Sequence, residues 1–100
     1  MLTTTAVVAT QAPARYAKQL LSHLGRKATV EPVSEPEPAG RLVFGYGTGQ
    51  VLPGTDALVL IASADDQEAL DRLQDVLGRH LERFGARNEL KVAWGPVTTE

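Results

Sequence analysis

Between Asp65 and Gly85 apolar residues recur at three- and four-residue steps: Leu70, Leu73, Leu77, Leu81 and Phe84 fall on one side of an α-helix. Asp65 with Glu68 three residues on has the form of a capping box, and Gly85 offers a residue tolerant of positive φ as the stop. Acids crowd the first turns and Arg79 and Arg83 stand near the end, as the helix dipole favours. A second helix is predicted from Pro13 to about Leu24, stopped by Gly25. Its Tyr16, Ala17, Leu20, Leu21 and Leu24 share one side, and Arg15, Lys18, Ser22 and Arg26 form a basic ridge on the other.

The remaining segments alternate with a period of two. Thr3–Thr10 is β-branched and reads as the first strand, and residues 27–33 as a second, with Pro32 pointing to a sheet edge. Residues 31–40, with three prolines and three glutamates, read as a solvated connection. Residues 41–44 and 50–53 flank a glycine-rich turn, Gly45–Gly49, as a hairpin. Ala57–Ala62 is an apolar strand leading into the long helix. Leu90, Val92 and Trp94 alternate with Lys91 and Ala93 as a closing strand, and residues 95–100 are expected to fray.

The order β-α-β-β-β-β-α-β predicts an α+β two-layer sandwich, one domain over residues 1–100, with both helices on one face of a mainly antiparallel sheet. In such a sandwich the second sheet face is uncovered. Leu58 and Leu60 point one way in the fifth strand and Val59 and Ile61 the other, and Val7 and Val8 likewise diverge. The uncovered face therefore carries apolar residues, which predicts a homo-oligomer or a partner domain there, unless residues 31–40 fold over it.

Composition narrows the functional classes. The 100 residues are 43% apolar, enough for one modest core, and contain no cysteine. Thiol catalysis, Cys-ligated zinc and iron–sulfur clusters are thereby excluded. A net charge of −2 and five aromatic residues predict no nucleic-acid and no membrane partner. No signal-peptide pattern and no membrane-length apolar run are present, which predicts a cytoplasmic protein.

Candidate chemistry centres on two histidines. His80 falls within the long helix's apolar stripe and His23 at the edge of the first helix's stripe. Side-by-side helices would bring the imidazoles together as a small-ligand or metal site, or as a pair titrating near neutral pH. The plainer reading is a hydrogen-bonded, half-buried His80 and a surface His23, since two histidines without a third ligand make a poor metal site. The ridge Arg15, Lys18, Ser22 and Arg26 is suited to a phosphate or carboxylate, or is an ordinary solvated helix face. Gly45–Gly49 is not a phosphate loop, because a strand rather than a helix follows it. Gly78 in mid-helix points to a close contact with an unknown neighbour.

The segments Pro13-Ala14-Arg15-Tyr16, Lys18-Gln19-Leu20 and Ser22-His23 resemble the first helix of a bacterial family known as domain of unknown function 2218. Gly47-Thr48, the strand before Ala64-Asp65, and the run from His80 to Gly85 ahead of Leu90, Val92 and Trp94 are similar too. The resemblance spans nearly the whole chain and departs from the family at residues 34–38, where a shorter, tryptophan-containing turn is expected. It implies a fold similar to the TATA-binding-protein-like sandwich and to the C-terminal domain of phosphohexomutases. It carries no established activity, although some members stand beside siderophore-interacting ferric reductases, implying a link to siderophore iron. The resemblance marks Tyr16, Lys18, Gln19, His23, His80 and Arg83 as candidate ligand contacts, with no catalytic residue, metal or cofactor assigned. Two functions follow as expectations: a binding or accessory module for an anionic small molecule, or a small hydrolase or transferase working through His23 and His80.

Overall fold

The computed structural model describes residues 1–32, 39–86 and 90–99. Its elements in chain order are β1 (Leu2–Ala9), α1 (Pro13–Leu24), β2 (Thr29–Pro32), β3 (Gly40–Phe44), β4 (Gly47–Pro53), β5 (Ala57–Ala64), α2 (Gln67–Phe84) and β6 (Thr98–Thr99). The strands make one sheet in the order β2-β3-β4-β5-β1-β6, and its neighbours pair antiparallel. The two helices touch each other and both lie across β4 and β5. This is the predicted α+β sandwich with its predicted element order, and β2, carrying Pro32, is an edge strand.

Alternation decides which side chains enter the layer between helices and sheet. Thr4, Ala6 and Val8 of β1 are buried while Val7 between them is 66% exposed. In β5 the inward set is Leu58, Leu60, Ala62 and Ala64, facing Leu20 and Leu24 of α1 and Leu70, Leu73, Leu77 and Leu81 of α2 in one core. Small residues hold α2 close to the sheet. A Cβ on Gly49 would stand 2.9 Å from Leu77 Cδ1, and one on Gly47 would stand 2.7 Å from the Ser63 carbonyl oxygen. The expected turn Gly45–Gly49 is correspondingly shorter: only Gly45 and Tyr46 turn, and β4 begins at Gly47. Two of its glycines therefore serve helix–sheet approach rather than hairpin geometry.

Both ends of α2 differ from expectation by local chemistry. Asp66, not Asp65, caps the N-terminus, its carboxylate accepting from the Ala69 amide at 2.8 Å. The expected pairing of Asp65 with Glu68 is out of register by one residue. Gly85 ends the helix at φ −97°, outside the left-handed region. Glycine is required there because the Leu90 side chain fills the space a Cβ would take.

The predicted closing strand at residues 90–94 is not formed. Leu90, Val92 and Trp94 do alternate inward, but toward α2: Val92 and Trp94 pack over Gly78, and the Val92 amide donates to Glu82 Oε2 at 2.9 Å. Only Trp94 bridges to Ala6 of β1. Beyond it Thr4 Oγ1 donates to the Gly95 carbonyl at 2.8 Å, and the Gly95 amide donates to that of Thr5 at 2.9 Å. The sheet closes instead at Thr98–Thr99, in the stretch expected to fray, paired with Leu2 and Thr3. Period-two patterning identified the buried face, whereas a helix rather than a strand supplies most of its cover.

On the other sheet face, register aligns Val7, Val59 and Leu52 in one row and Thr5, Ile61, Gln50, Arg41 and Glu31 in the next. Residues 33–38, part of the segment considered as its cover, lie outside the described residues.

Candidate functional site

The outer side of α1 carries Arg15, Lys18, Gln19, Ser22 and His23, and Arg26 follows in the turn after the helix. These residues, with Phe84 from the last turn of α2, line a shallow groove of about 530 Å³. The helical repeat places those of α1 together, because the steps from 15 to 18/19 and 22/23 follow one face, and the turn after the helix adds Arg26.

The two histidines meet as the side-by-side helices require. Their ring centroids lie 5.0 Å apart at a 43° tilt, and the Phe84 ring meets His23 edge-on at 5.3 Å. His80 is half-buried and its Nδ1 lies 2.7 Å from the Val76 carbonyl oxygen. A carbonyl only accepts, so Nδ1 carries the hydrogen and the neutral ring presents Nε2 as its acceptor. His23 keeps an exposed edge in the groove. Its pKa lies below the ordinary 6.5, first through desolvation by its packed neighbours and then through the positive field of His80, Arg26, Lys27 and Arg83. The ring is flanked by two rings rather than enclosed, so the direction of the shift is clear and solvent screens its size.

Five of the chain's ten Lys and Arg residues (Arg15, Lys18, Arg26, Lys27 and Arg83) gather at this corner of a protein whose net charge is −2. Among the described residues none of the five is in an ion pair: the salt bridges there are Arg41–Glu31 at 3.8 Å and Arg79–Asp75 at 3.1 Å. A divalent cation would meet this field as repulsion. Among the described residues no three His, Cys, Asp or Glu converge. An anion would meet guanidinium forks and an ammonium group with free donors.

Of the six candidate contacts, Lys18, Gln19 and His23 line the groove, His80 backs His23, and Arg83 contributes to its field. Tyr16 is only 5% exposed and belongs to the core, not to the groove lining. The sequence treated the basic ridge and the histidine pair as separate features, and helix packing joins them. Phe84 was assigned to the apolar stripe alone, yet its ring is also groove wall. Its place at the C-terminal end of that stripe, one turn beyond His80, is the signal that marks it. Neither imidazole hydrogen-bonds a carboxylate or a hydroxyl among the described residues, so a base held by a second side chain is not assembled there.

A second groove of about 450 Å³ lies between α2 and residues 92–94 and is walled by acids. Each acid already has a partner: Asp71 accepts from Gln67 Nε2 at 2.7 Å, Asp75 pairs with Arg79, and Glu82 holds the Val92 amide. At the hairpin, the Arg72 guanidinium sits 4.3 Å over the Tyr46 ring, fastening that turn to α2. No helix among the described residues is long and apolar enough to cross a membrane.

Comparison with known proteins agrees with the fold and leaves the ligand open. A search of curated proteins finds no match. Among solved structures the chain is similar to the NMR structure of PA4090 from Pseudomonas aeruginosa, with 32% identity and a TM-score of 0.77 over 96% of this chain and 97% of that one. Residues 5–95 match the family described as "Uncharacterized protein conserved in bacteria (DUF2218)". With that match over most of its length, two helices on an open antiparallel sheet and the paired histidines in place, the chain belongs to the bacterial family DUF2218.

Proposed function

We propose that the protein is a non-enzymatic binding module whose α1–α2 groove takes an anionic small molecule. The observation that carries this reading is the set of five cations around the groove, none of them in an ion pair among the described residues. Charge-assisted hydrogen bonds from Arg15, Lys18 and Arg26 would hold the ligand, and Phe84 with the imidazole would provide the apolar wall. The family resemblance makes a ferric siderophore one ligand class to test, and sugar phosphates are the other. The alternative, a hydrolase or transferase using His23 and His80, requires an orienting side chain for the base, and among the described residues neither imidazole has one.

A thermal-shift screen with ferric siderophores, sugar phosphates and inorganic sulfate tests the proposal. A ligand at a hundredfold its Kd stabilises by about 2.7 kcal/mol. The expected result is stabilisation by at least one anion, lost in a Lys18→Ala/Arg26→Ala double variant. Absence of any stabiliser, or equal stabilisation of the variant, would refute it.

We further propose that a second copy of the chain covers the uncovered sheet face. Val7 is 66% exposed and aligned with Val59 and Leu52, which supports this. Equilibrium sedimentation should show a dimer that Val7→Asp dissociates. A strict monomer at high concentration would disprove it.

A further inference from the structure

We propose that anion occupancy of the groove and protonation of His23 are coupled, so that the groove holds an anion more tightly as the solution is acidified. This rests on the anion-binding reading above and adds how that site is regulated.

The geometry assigns the proton to one of the two rings. His23 lines the groove and His80 does not. His80 stands behind it, anchored through Nδ1 to the Val76 carbonyl. His23 has the His80 and Phe84 rings at 5.0 and 5.3 Å and is itself exposed in the groove lined by Arg15, Lys18 and Arg26. Among the described residues the charged groups acting on it are Arg26 and Lys27 from the turn after α1 and Arg83 and the titratable His80 from α2, and Arg15 and Lys18 of α1 line the same groove. Among the described residues no carboxylate pairs with any of these. A proton placed on His23 in the empty groove therefore joins a cluster of like charges with no counter-charge nearby. An anion seated among Arg15, Lys18 and Arg26 supplies that counter-charge, favouring the imidazolium and gaining a further donor from it.

The coupling is reciprocal: if the anion raises proton affinity at His23, the proton raises anion affinity by the same factor. The lowered pKa of His23 agrees in direction: desolvation is its largest cause, and an anion would offset the part that His80, Arg26, Lys27 and Arg83 add. One coupled proton changes affinity by at most about tenfold per pH unit.

Sulfate is a suitable probe because its charge is constant across the range in which histidine titrates. Its affinity would be measured at fixed ionic strength from about pH 8 to about pH 5.5. The affinity of the unsubstituted protein and of His80→Gln should rise several-fold, while His23→Gln should bind at the upper pH and show no rise. An NMR titration of the unsubstituted protein gives an independent readout, in which saturating sulfate should move the His23 midpoint upward. The coupling is overturned if Arg26→Ala weakens sulfate binding but affinity is flat with pH. It is equally overturned if the pH dependence disappears in His80→Gln rather than His23→Gln. In either case anion binding in the groove still stands. If sulfate does not bind, or Lys18→Ala and Arg26→Ala leave its affinity unchanged, the groove reading and the coupling fall together.

Discussion

Replacing Gly78 with alanine tests the placement of the C-terminal segment, because the sign of the effect depends on how near Trp94 stands to α2. Gly78 is buried in the middle of an 18-residue helix, where glycine costs about 0.8–1.0 kcal/mol relative to alanine. An added Cβ would stand 3.4 Å from Trp94 Nε1 and 3.5 and 3.6 Å from Val92 Cγ1 and Cβ. Those are ordinary contact distances, so the methyl fits and the propensity gain is kept. The expected result is stabilisation by about 1 kcal/mol, or a rise in Tm of about 4–8 °C for a domain of this size. The opposite sign is expected where glycine meets backbone. At Gly47 a Cβ would stand 2.7 Å from the Ser63 carbonyl oxygen, which cannot rotate away, and overpacking of this kind costs about 1–3 kcal/mol. Chemical denaturation of both variants, with m-values compared to confirm that the denatured state is unchanged, measures the two effects. Loss of stability in Gly78→Ala would refute the packing described for Val92 and Trp94. A neutral Gly47→Ala would refute the close approach of β4 to β5 and α2.

Two other predictions follow from the helix cap and the histidine. Asp66→Ala should cost about 1 kcal/mol through loss of the Ala69 amide's acceptor, whereas Asp65→Ala should be close to neutral; thermal unfolding of the pair separates a cap at 66 from one at 65. His23 is lowered in the folded protein, so the unfolded chain binds the extra proton first as pH falls. Its contribution is fully present above the unfolded value of 6.5, and acidification through 6.5 toward the lower folded value removes it. Stability measured without added anions should therefore decline below about pH 6.5 and decline less in His23→Gln, and equal slopes would contradict the environment described for His23.

The sequence is most informative where one periodicity governs a whole element. The leucines of α2 and of α1 each predicted their buried face, because burial of a stripe is the dominant favourable term and imposes its own spacing, whereas the β5 run is apolar on both faces and left its buried side open. It is less informative where a tertiary neighbour decides between local alternatives. Asp65 and Asp66 are both acceptable caps, and only the path out of β5 selects the second. The glycine at 85 suits a left-handed stop equally well, and only Leu90 shows that it is there for space. Strand-like alternation at residues 90–94 says which side chains turn inward but not whether α2 or β1 receives them. The candidate site was legible as two halves, a ridge and a histidine pair. Their union needed the relative placement of α1 and α2, which no single helix's pattern contains.

The two grooves beside α2 give opposite answers to the question of whether a charged surface is a site. Along residues 71–82 the acids are satisfied internally: Gln67, Arg79 and the Val92 amide take the places a ligand would occupy. Such a wall is structural, fastening the C-terminal segment and the helix to themselves. At the α1–α2 corner the arrangement is reversed. Among the described residues none of the five cations there pairs with an Asp or Glu. Like charges gathered without counter-charge oppose folding, and an ordinary solvated face interleaves the signs. The leucines beneath need only the apolar stem of a long side chain above them, not its charge. Packing therefore does not account for the concentration of positive charge over His23, which is the observation the anion-binding proposal rests on.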